Sequence, residues 1–323
     1  QRVSGTIRMR GSNYLVDSGL QQVWEDGFRR HHPDVTFDTD MKSTFVAMAS
    51  LYMGQADIVH MGREASWEEL MAYQRTMDGM PLGIAIATGS YDVGGWTFAL
   101  GVFVHQDNPL SRLTLEQLDG IFGAARAGGW DGTAWRPEFA RGAEKNIRTW
   151  GQLGLTGEWA DKPIHVYGYN LNFHFPRFFA DKVFDGGYMW NEDMLEHANA
   201  AKPGGGFILA GDILMGELAN DRYGIAYTGL AHRAKDTRAL ALAGKGSTAY
   251  VDLSIGNVQS RSYPLTRAVY HYINRRPDQP VDPKVKEFLR YILSREGQQA
   301  VQADGKFLPM TAEFAREQRE KLD

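Results

Sequence analysis

The chain has 323 residues, 43% hydrophobic and 23% charged, which is the composition of a folded globular protein and excludes a disordered, collagenous or membrane-spanning chain. A formal net charge of −4, with both signs interspersed and no basic stripe, argues against nucleic acid and anionic membranes as partners. The absence of cysteine excludes disulfides, thiolate metal sites and a cysteine nucleophile.

Strands and helices alternate from the start of the chain, which favours parallel strands with helical crossovers. The patterns predict strands at residues 6–9, 35–40 and 56–60 and helices at residues 17–30 and 44–53. The first helix carries Leu20, Val23, Trp24 and Phe28 on one apolar stripe. A third helix begins near Ser66, where Glu69 completes a capping box.

Beyond residue 82 the pattern indicates that the chain leaves the first domain, enters a second one and returns. The predicted strands are residues 83–87, 98–105, 163–167, 222–228, 239–242 and 268–273, and the predicted helices are residues 113–118, 178–184, 284–293 and 298–303. At 323 residues, two domains are expected. We assign residues 1–100 and 229–323 to a discontinuous first domain and residues 101–228 to an inserted second one.

No motif for catalysis occurs in the chain. Neither a Gly-x-Ser-x-Gly nucleophile elbow nor a Gly-x-x-x-x-Gly-Lys-Ser/Thr phosphate loop is present. The nine histidines include no metal-binding spacing, although His60, His165 and His174 keep a metal-binding receptor open as an alternative. We therefore expect a protein that is not an enzyme, with no catalytic residues, no resident metal and no cofactor.

Six segments, taken in order along the chain, carry a family resemblance. They are Gly11-Ser12-Asn13-Tyr14, residues 54–64, residues 108–123, Tyr223-Gly224-Ile225-Ala226-Tyr227, Tyr263-Pro264-Leu265-Thr266-Arg267 and Ser294-Arg295-Glu296-Gly297-Gln298. Together they resemble the phosphate-binding periplasmic proteins of ABC transporters, a branch of the type II periplasmic-binding-protein superfamily. The matches span most of the chain.

The resemblance implies an α/β fold of two lobes, each a mixed sheet flanked by helices, joined by crossing hinge strands. It also implies a small-molecule ligand held in the cleft and a closed form that an ABC permease in the membrane recognises. The expected protein is a periplasmic or otherwise extracytoplasmic monomer, and no signal peptide is present in this chain.

The ligand loops depart from the family pattern of Ser-Gly-Thr runs at helix starts, which suit a tetrahedral dianion. The first-lobe run falls on residues 42–46, which retain Ser43 and Thr44 but have Phe45 in place of glycine. In the second lobe, Tyr169 stands where the family has arginine, and Phe173-His174-Phe175 stands for Ser-Gly-Thr. These losses predict a changed ligand.

We therefore expect a small organic ligand, held by aromatic faces and a few polar groups. The predicted ligand-binding residues are Ser12, Asn13, Tyr14, Ser43, Thr44, Arg63, Tyr169, Asn170, Asn172 and His174. One alternative retains phosphate or another oxyanion, and another is a periplasmic sensor or scaffold without a transporter. At single positions, Phe173 and Phe175 could be core residues, Arg63 a structural ion pair and His174 an ordinary loop histidine.

Overall fold

A computed structural model describes residues 2–275 and 279–323. The chain divides into two compact units, of which unit 1 comprises residues 1–90, 95–97 and 267–323 and unit 2 comprises residues 91–94 and 98–266. Each unit contains a five-stranded mixed sheet with helices, which confirms the predicted two-lobed α/β class. Gln1 and residues 276–278, assigned above to the first domain, lie outside the described residues.

The strands, in chain order, are β1 (Gly5–Gly11), β2 (Val35–Met41), β3 (Ile58–Met61), β4 (Leu82–Thr88), β5 (Gly101–His105), β6 (Arg112–Thr114), β7 (Gly129–Asp131), β8 (Ala134–Arg136), β9 (His165–Tyr169), β10 (Leu195–His197), β11 (Ala200–Ala201), β12 (Phe207–Ile208), β13 (Gly224–Thr228), β14 (Thr237–Ala239), β15 (Ala241–Ala243) and β16 (Ala268–Ile273).

The α-helices are α1 (Tyr14–Ser18), α2 (Leu20–His31), α3 (Ala47–Tyr52), α4 (Trp67–Met77), α5 (Leu115–Phe122), α6 (His174–Val183), α7 (Ala210–Leu218), α8 (Ile255–Gln259), α9 (Pro283–Ile292), α10 (Arg295–Asp304) and α11 (Ala312–Glu320). A 3-10 turn at Thr44–Val46 leads into α3. Within the described residues, no helix combines the length and the hydropathy that a bilayer span requires.

The sheet of unit 1 has the strand order β2-β1-β3-β16-β4. Strands β2, β1 and β3 are parallel, whereas β16 runs antiparallel to both β3 and β4. Because β1 lies between β2 and β3 in the sheet, the connection from β2 to β3 passes over β1. Because the three strands are parallel, their carboxyl ends lie at one edge of the sheet. This is the kind of topological switch point where α/β sheets bind ligands.

Helix α2 packs on this sheet through Leu20, Trp24 and Phe28, which are buried, whereas Val23 is exposed and lies off the predicted stripe. The spacing of four residues between the buried side chains places them on one face of the helix. The helix predicted at residues 17–30 is in fact two helices. They are separated at Gly19, whose φ of +83° is left-handed and ends α1.

The sheet of unit 2 has the order β10-β9-β13-β5-β14, in which β10, β9 and β13 are parallel. Strand β14 pairs with β5, and β15 pairs with β6. Residues 229–266 therefore belong to unit 2, and the predicted return to the first domain at residue 229 is wrong. The one strand predicted at residues 239–242 is in fact two short strands, β14 and β15, separated at Leu240. Which ladder each completes depends on partners distant in the chain.

Two helix starts follow the sequence closely because both carry reciprocal capping bonds. Ser66 caps α4 with Glu69, as predicted, and Thr114 caps α5 with Gln117. The helix predicted from residue 113 accordingly begins at Leu115, since the preceding residues form β6.

Candidate functional site

The carboxyl edge of the unit 1 sheet brings together residues that are far apart in sequence. The Ser12 N–H, directly after β1, donates to the His60 carbonyl at 2.9 Å, and the Ser43 N–H, after β2, donates to the Gly11 carbonyl at 2.8 Å. Thr44 follows Ser43 at the start of the 3-10 turn. We refer to Ser12, Ser43 and Thr44 as the hydroxyl edge. The fold of unit 1 brings these three hydroxyl residues to one edge, where Ser43 and Thr44 are partly exposed and Ser12 is 2% exposed.

Backbone at the hydroxyl edge is tightly packed. Gly11 has a φ of +121°, and a Cβ at this position would lie 2.1 Å from the His60 carbonyl oxygen. A Cβ on Gly62, the first residue after β3, would lie 2.7 Å from the Tyr14 ring and 2.9 Å from Thr97 Oγ1. Only glycine fits at these positions without displacing a neighbour.

The 3-10 turn presents Phe45 to solvent. Ser43 is its N-cap, and its Oγ accepts a hydrogen bond from the Phe45 N–H at 3.2 Å. The Phe45 side chain is 84% exposed and the adjacent Val46 is 48% exposed. Phe45 thus does not pack into the core, and it directly follows Thr44 of the hydroxyl edge in the sequence.

Tyr14 packs within unit 1. Its ring lies 5.2 Å from the Trp96 ring and 6.4 Å from the Phe307 ring, measured between centroids. Burial raises the pKa of the Tyr14 phenol, an effect that the nearby Arg267 guanidinium opposes. Most of the ring is therefore engaged by protein, which limits the face that a ligand could contact.

Two other predicted residues of this lobe make local bonds. The Asn13 amide donates to the Asp17 carboxylate one helical turn along α1. Arg63 donates to both carboxylate oxygens of Glu69, at 2.7 and 2.9 Å, and Glu69 also accepts from the Ser66 N–H. The Arg63 charge is therefore compensated inside unit 1, in agreement with the ion-pair alternative.

The aromatic residues of the unit 2 loop pack inward. Tyr169 is 2% exposed, and its hydroxyl is 2.5 Å from Thr228 Oγ1. Phe175 is buried, stacks on Phe98 at a centroid distance of 4.7 Å and lies 4.8 Å from the Tyr169 ring. The expectation that these rings would form ligand faces is not supported, because hydrophobic packing within unit 2 covers them.

The polar residues of the same loop bond to one another and to a carboxylate. Asn170 Oδ1 accepts from the Asn172 N–H at 3.1 Å, while Asn170 Nδ2 and the Leu171 N–H both donate to Glu196 Oε2 at 3.1 Å. Helix α6 then begins at His174, whose ring lies 4.1 Å from the Phe175 ring. The loop is thereby held in shape, and Asn172 remains exposed.

The N-cap of α6 is Phe173, which provides no side-chain cap bond. Serine or threonine would be favoured there, because a hydroxyl satisfies an N–H of the first turn. The first turn of α6 therefore has no capping hydroxyl at residue 173.

Arg267 was not among the ligand-binding residues predicted from the sequence, where it stands only in the segment at residues 263–267. The side chain is 2% exposed, and its Nη2 approaches the Gly62 carbonyl oxygen at 3.5 Å. It lies near enough to Tyr14 to affect the pKa of that phenol. The motif Tyr-Pro-Leu-Thr-Arg is visible in the sequence. The position of Arg267 next to Gly62, however, depends on the pairing of β16 with β3.

No group of three or more His, Asp or Glu side chains in the described part of the chain is placed to hold a metal ion. His165 Nδ1 lies 2.7 Å from Asp221 Oδ2, which engages one of the three histidines considered above.

Comparisons with known proteins agree with one another. A family model described as a PBP superfamily domain matches residues 1–296. The chain is 30% identical over 320 residues to the phosphate-binding protein PstS of Pseudomonas aeruginosa, covering 99% of this chain and 88% of that protein.

Solved structures give the same result for the fold. PstS from Borrelia burgdorferi matches with a TM-score of 0.59 at 15% identity, covering 95% of this chain and 100% of that one. An ABC-type phosphate transport receptor from Vibrio cholerae matches with a TM-score of 0.55 at 16% identity, covering 94% and 100%.

Proposed function

Because the chain belongs to the PBP superfamily, we propose that it is the extracytoplasmic solute-binding receptor of an ABC importer and that its ligand is an oxyanion of the phosphate class. The relative with 30% identity is named as a phosphate-binding protein, and the related solved structures include a phosphate transport receptor. No cofactor is needed for this function.

The observation that carries the proposal is the hydroxyl edge of unit 1. Ser12, Ser43 and Thr44 follow parallel strands that end at a switch point, where α/β sheets commonly bind ligands. Hydroxyl donors suit an anion better than a neutral solute, and Arg267, whose Nη2 approaches the carbonyl of Gly62 directly after β3, adds a positive charge at this end of the sheet. We therefore replace the purely organic ligand expected from sequence, since Tyr169 and Phe175 are packed inside unit 2.

Isothermal titration of refolded, ligand-free protein with orthophosphate, sulfate and a neutral sugar tests the class of ligand. We expect saturable heat with orthophosphate and none with the sugar. In Ser43→Ala and Thr44→Val variants, the affinity for orthophosphate should fall roughly tenfold or more, as for the loss of a hydrogen bond to a charged group. Binding of the sugar with no response to any oxyanion would overturn the proposal.

Ser294→Ala is the matched control for Ser43→Ala. Ser294 also lies in unit 1 and caps a helix, accepting from the Gly297 N–H at the same 3.2 Å distance. Both variants should lose a similar amount of stability, about 1 kcal/mol, but only Ser43→Ala should lose affinity. Equal effects on affinity would show that the Ser43 hydroxyl acts through the fold alone.

Transport is tested separately from binding. Deletion of the gene should lower uptake of the bound oxyanion by cells, and a plasmid-borne copy should restore it. Unchanged uptake together with a normal affinity would instead favour a sensor without a transporter.

A further inference from the structure

We infer that the ligand is an organic phosphonate whose apolar substituent contacts Phe45 and Val46; this inference rests on the proposed function and names its substrate class.

Exposed apolar side chains follow the hydroxyl residues in the sequence. Phe45 and Val46 directly follow Ser43 and Thr44 and are 84% and 48% exposed. Val16, in the helix that follows Ser12, is also exposed. Large apolar side chains scattered singly on a surface are ordinary, but here they flank the hydroxyls of one candidate site. The edge thus combines anion-binding donors with apolar surface.

Hydrogen bonds hold the backbone of Phe45 and Val46 in place. Its N–H donates to Ser43 Oγ at 3.2 Å, and the neighbouring Val46 carbonyl accepts from Ser50 Oγ at 2.8 Å. The ring is therefore presented to solvent by an ordered turn, and a ligand that covers it would not have to order this backbone. Pre-organisation of this kind favours binding because less conformational entropy is lost.

The number of hydrogen-bond donors at the hydroxyl edge limits how many oxygens of a ligand can be bound. Orthophosphate has four oxygens, and each loses bound water when the ion enters a site. This loss costs free energy unless a hydrogen-bond donor of the protein replaces the water. Within unit 1 the hydroxyl edge offers three hydroxyls, and the nearby Arg63 guanidinium is already engaged by Glu69. A phosphonate carries carbon in place of one oxygen, so it needs fewer donors and brings the apolar group that Phe45 can contact.

Titration calorimetry of ligand-free protein with orthophosphate, methylphosphonate and phenylphosphonate tests the inference. We expect phenylphosphonate to bind about tenfold more tightly than methylphosphonate, the size of effect that one aromatic contact commonly supplies. Phe45→Ala should remove this difference and leave the affinity for orthophosphate unchanged. Because Phe45 is exposed, the variant should fold normally, which its thermal unfolding will verify.

Met53→Ala is the control, because Met53 is 64% exposed but lies at the far end of α3 from the hydroxyl edge. It should retain the preference for phenylphosphonate. If orthophosphate binds but phenylphosphonate has no advantage, or Phe45→Ala preserves that advantage, the inference is wrong and the proposed function stands. If none of the three oxyanions binds, the proposed function itself is wrong.

Discussion

The imidazole rings of His60 and His271 lie face to edge in unit 1, with centroids 5.2 Å apart and planes at 82°. The two residues are register partners on β3 and β16, and both side chains are fully buried. Within the described residues, none of the four ring nitrogens has a hydrogen-bond partner. The His60 carbonyl, in turn, holds the Ser12 N–H of the hydroxyl edge.

This pair predicts a loss of stability in mild acid. Burial lowers the pKa of His60 from 6.5 to about 3, and burial together with the adjacent His60 lowers the pKa of His271 well below 6.5. The unfolded chain therefore binds more protons than the folded chain as the pH falls from about 6.5 towards about 3. Each histidine should lower the free energy of unfolding by about 1.4 kcal/mol per pH unit in this window.

Urea unfolding at pH 6.5, 5.5 and 4.5 measures this slope. His271→Leu should reduce the slope, because only His60 then remains to be protonated on unfolding. His31→Gln, at an exposed histidine, should leave it unchanged. Equal slopes in the wild type and in His271→Leu would show that the pair does not govern acid stability.

Gly11→Ala should destabilise unit 1 by about 3 kcal/mol, since it combines a left-handed backbone with a Cβ placed 2.1 Å from the His60 carbonyl oxygen. Gly19→Ala is the matched control, because Gly19 also has a positive φ but no atom lies within 4 Å of its added Cβ. The control should cost about 1 kcal/mol, the conformational strain alone. Similar losses in thermal unfolding of the two variants would contradict the close packing at Gly11.

Arg63→Met should lower stability by about 1–3 kcal/mol and leave the ligand affinity unchanged, because the guanidinium is engaged by Glu69. Arg10→Met breaks a pair with the exposed Asp38 and should cost under about 1 kcal/mol. Unfolding and titration of both variants separate the two roles. A large drop in affinity at unchanged stability would restore Arg63 as the ligand residue predicted from sequence.

Asp119→Ala should destabilise unit 2 by about 3–5 kcal/mol, because it removes the carboxylate that two buried arginines share and leaves Arg126 the longer, 3.5 Å contact with Asp185. Arg126 donates to both oxygens of Asp119 at 2.7 Å, and Arg141 lies 3.0 Å from one of them. Asp131→Ala, which breaks an exposed pair with Arg136, should cost under about 1 kcal/mol. Chemical unfolding of both variants provides the comparison, and equal losses would contradict the role of burial.

The local pattern of the chain determined much of its architecture. The strand around Thr6 and the capping boxes at Ser66 and Thr114 are encoded within a few residues of each site, because hydrophobic alternation and capping hydroxyls act locally. The sequence alone also showed that Phe173 stands where an anion loop would carry a hydroxyl. Family membership followed from segments distributed along the chain.

Only the tertiary structure decided which of these side chains remain accessible. Tyr169 and Phe45 both lie in segments predicted to contact a ligand, yet Tyr169 is packed in the core of unit 2 and Phe45 is exposed to solvent. Likewise, the strand at Ala239 joins unit 2 because β5 offers the ladder it completes. Burial and strand pairing are set by residues distant in the chain, so a local pattern specifies the element but not its partner or its exposed face.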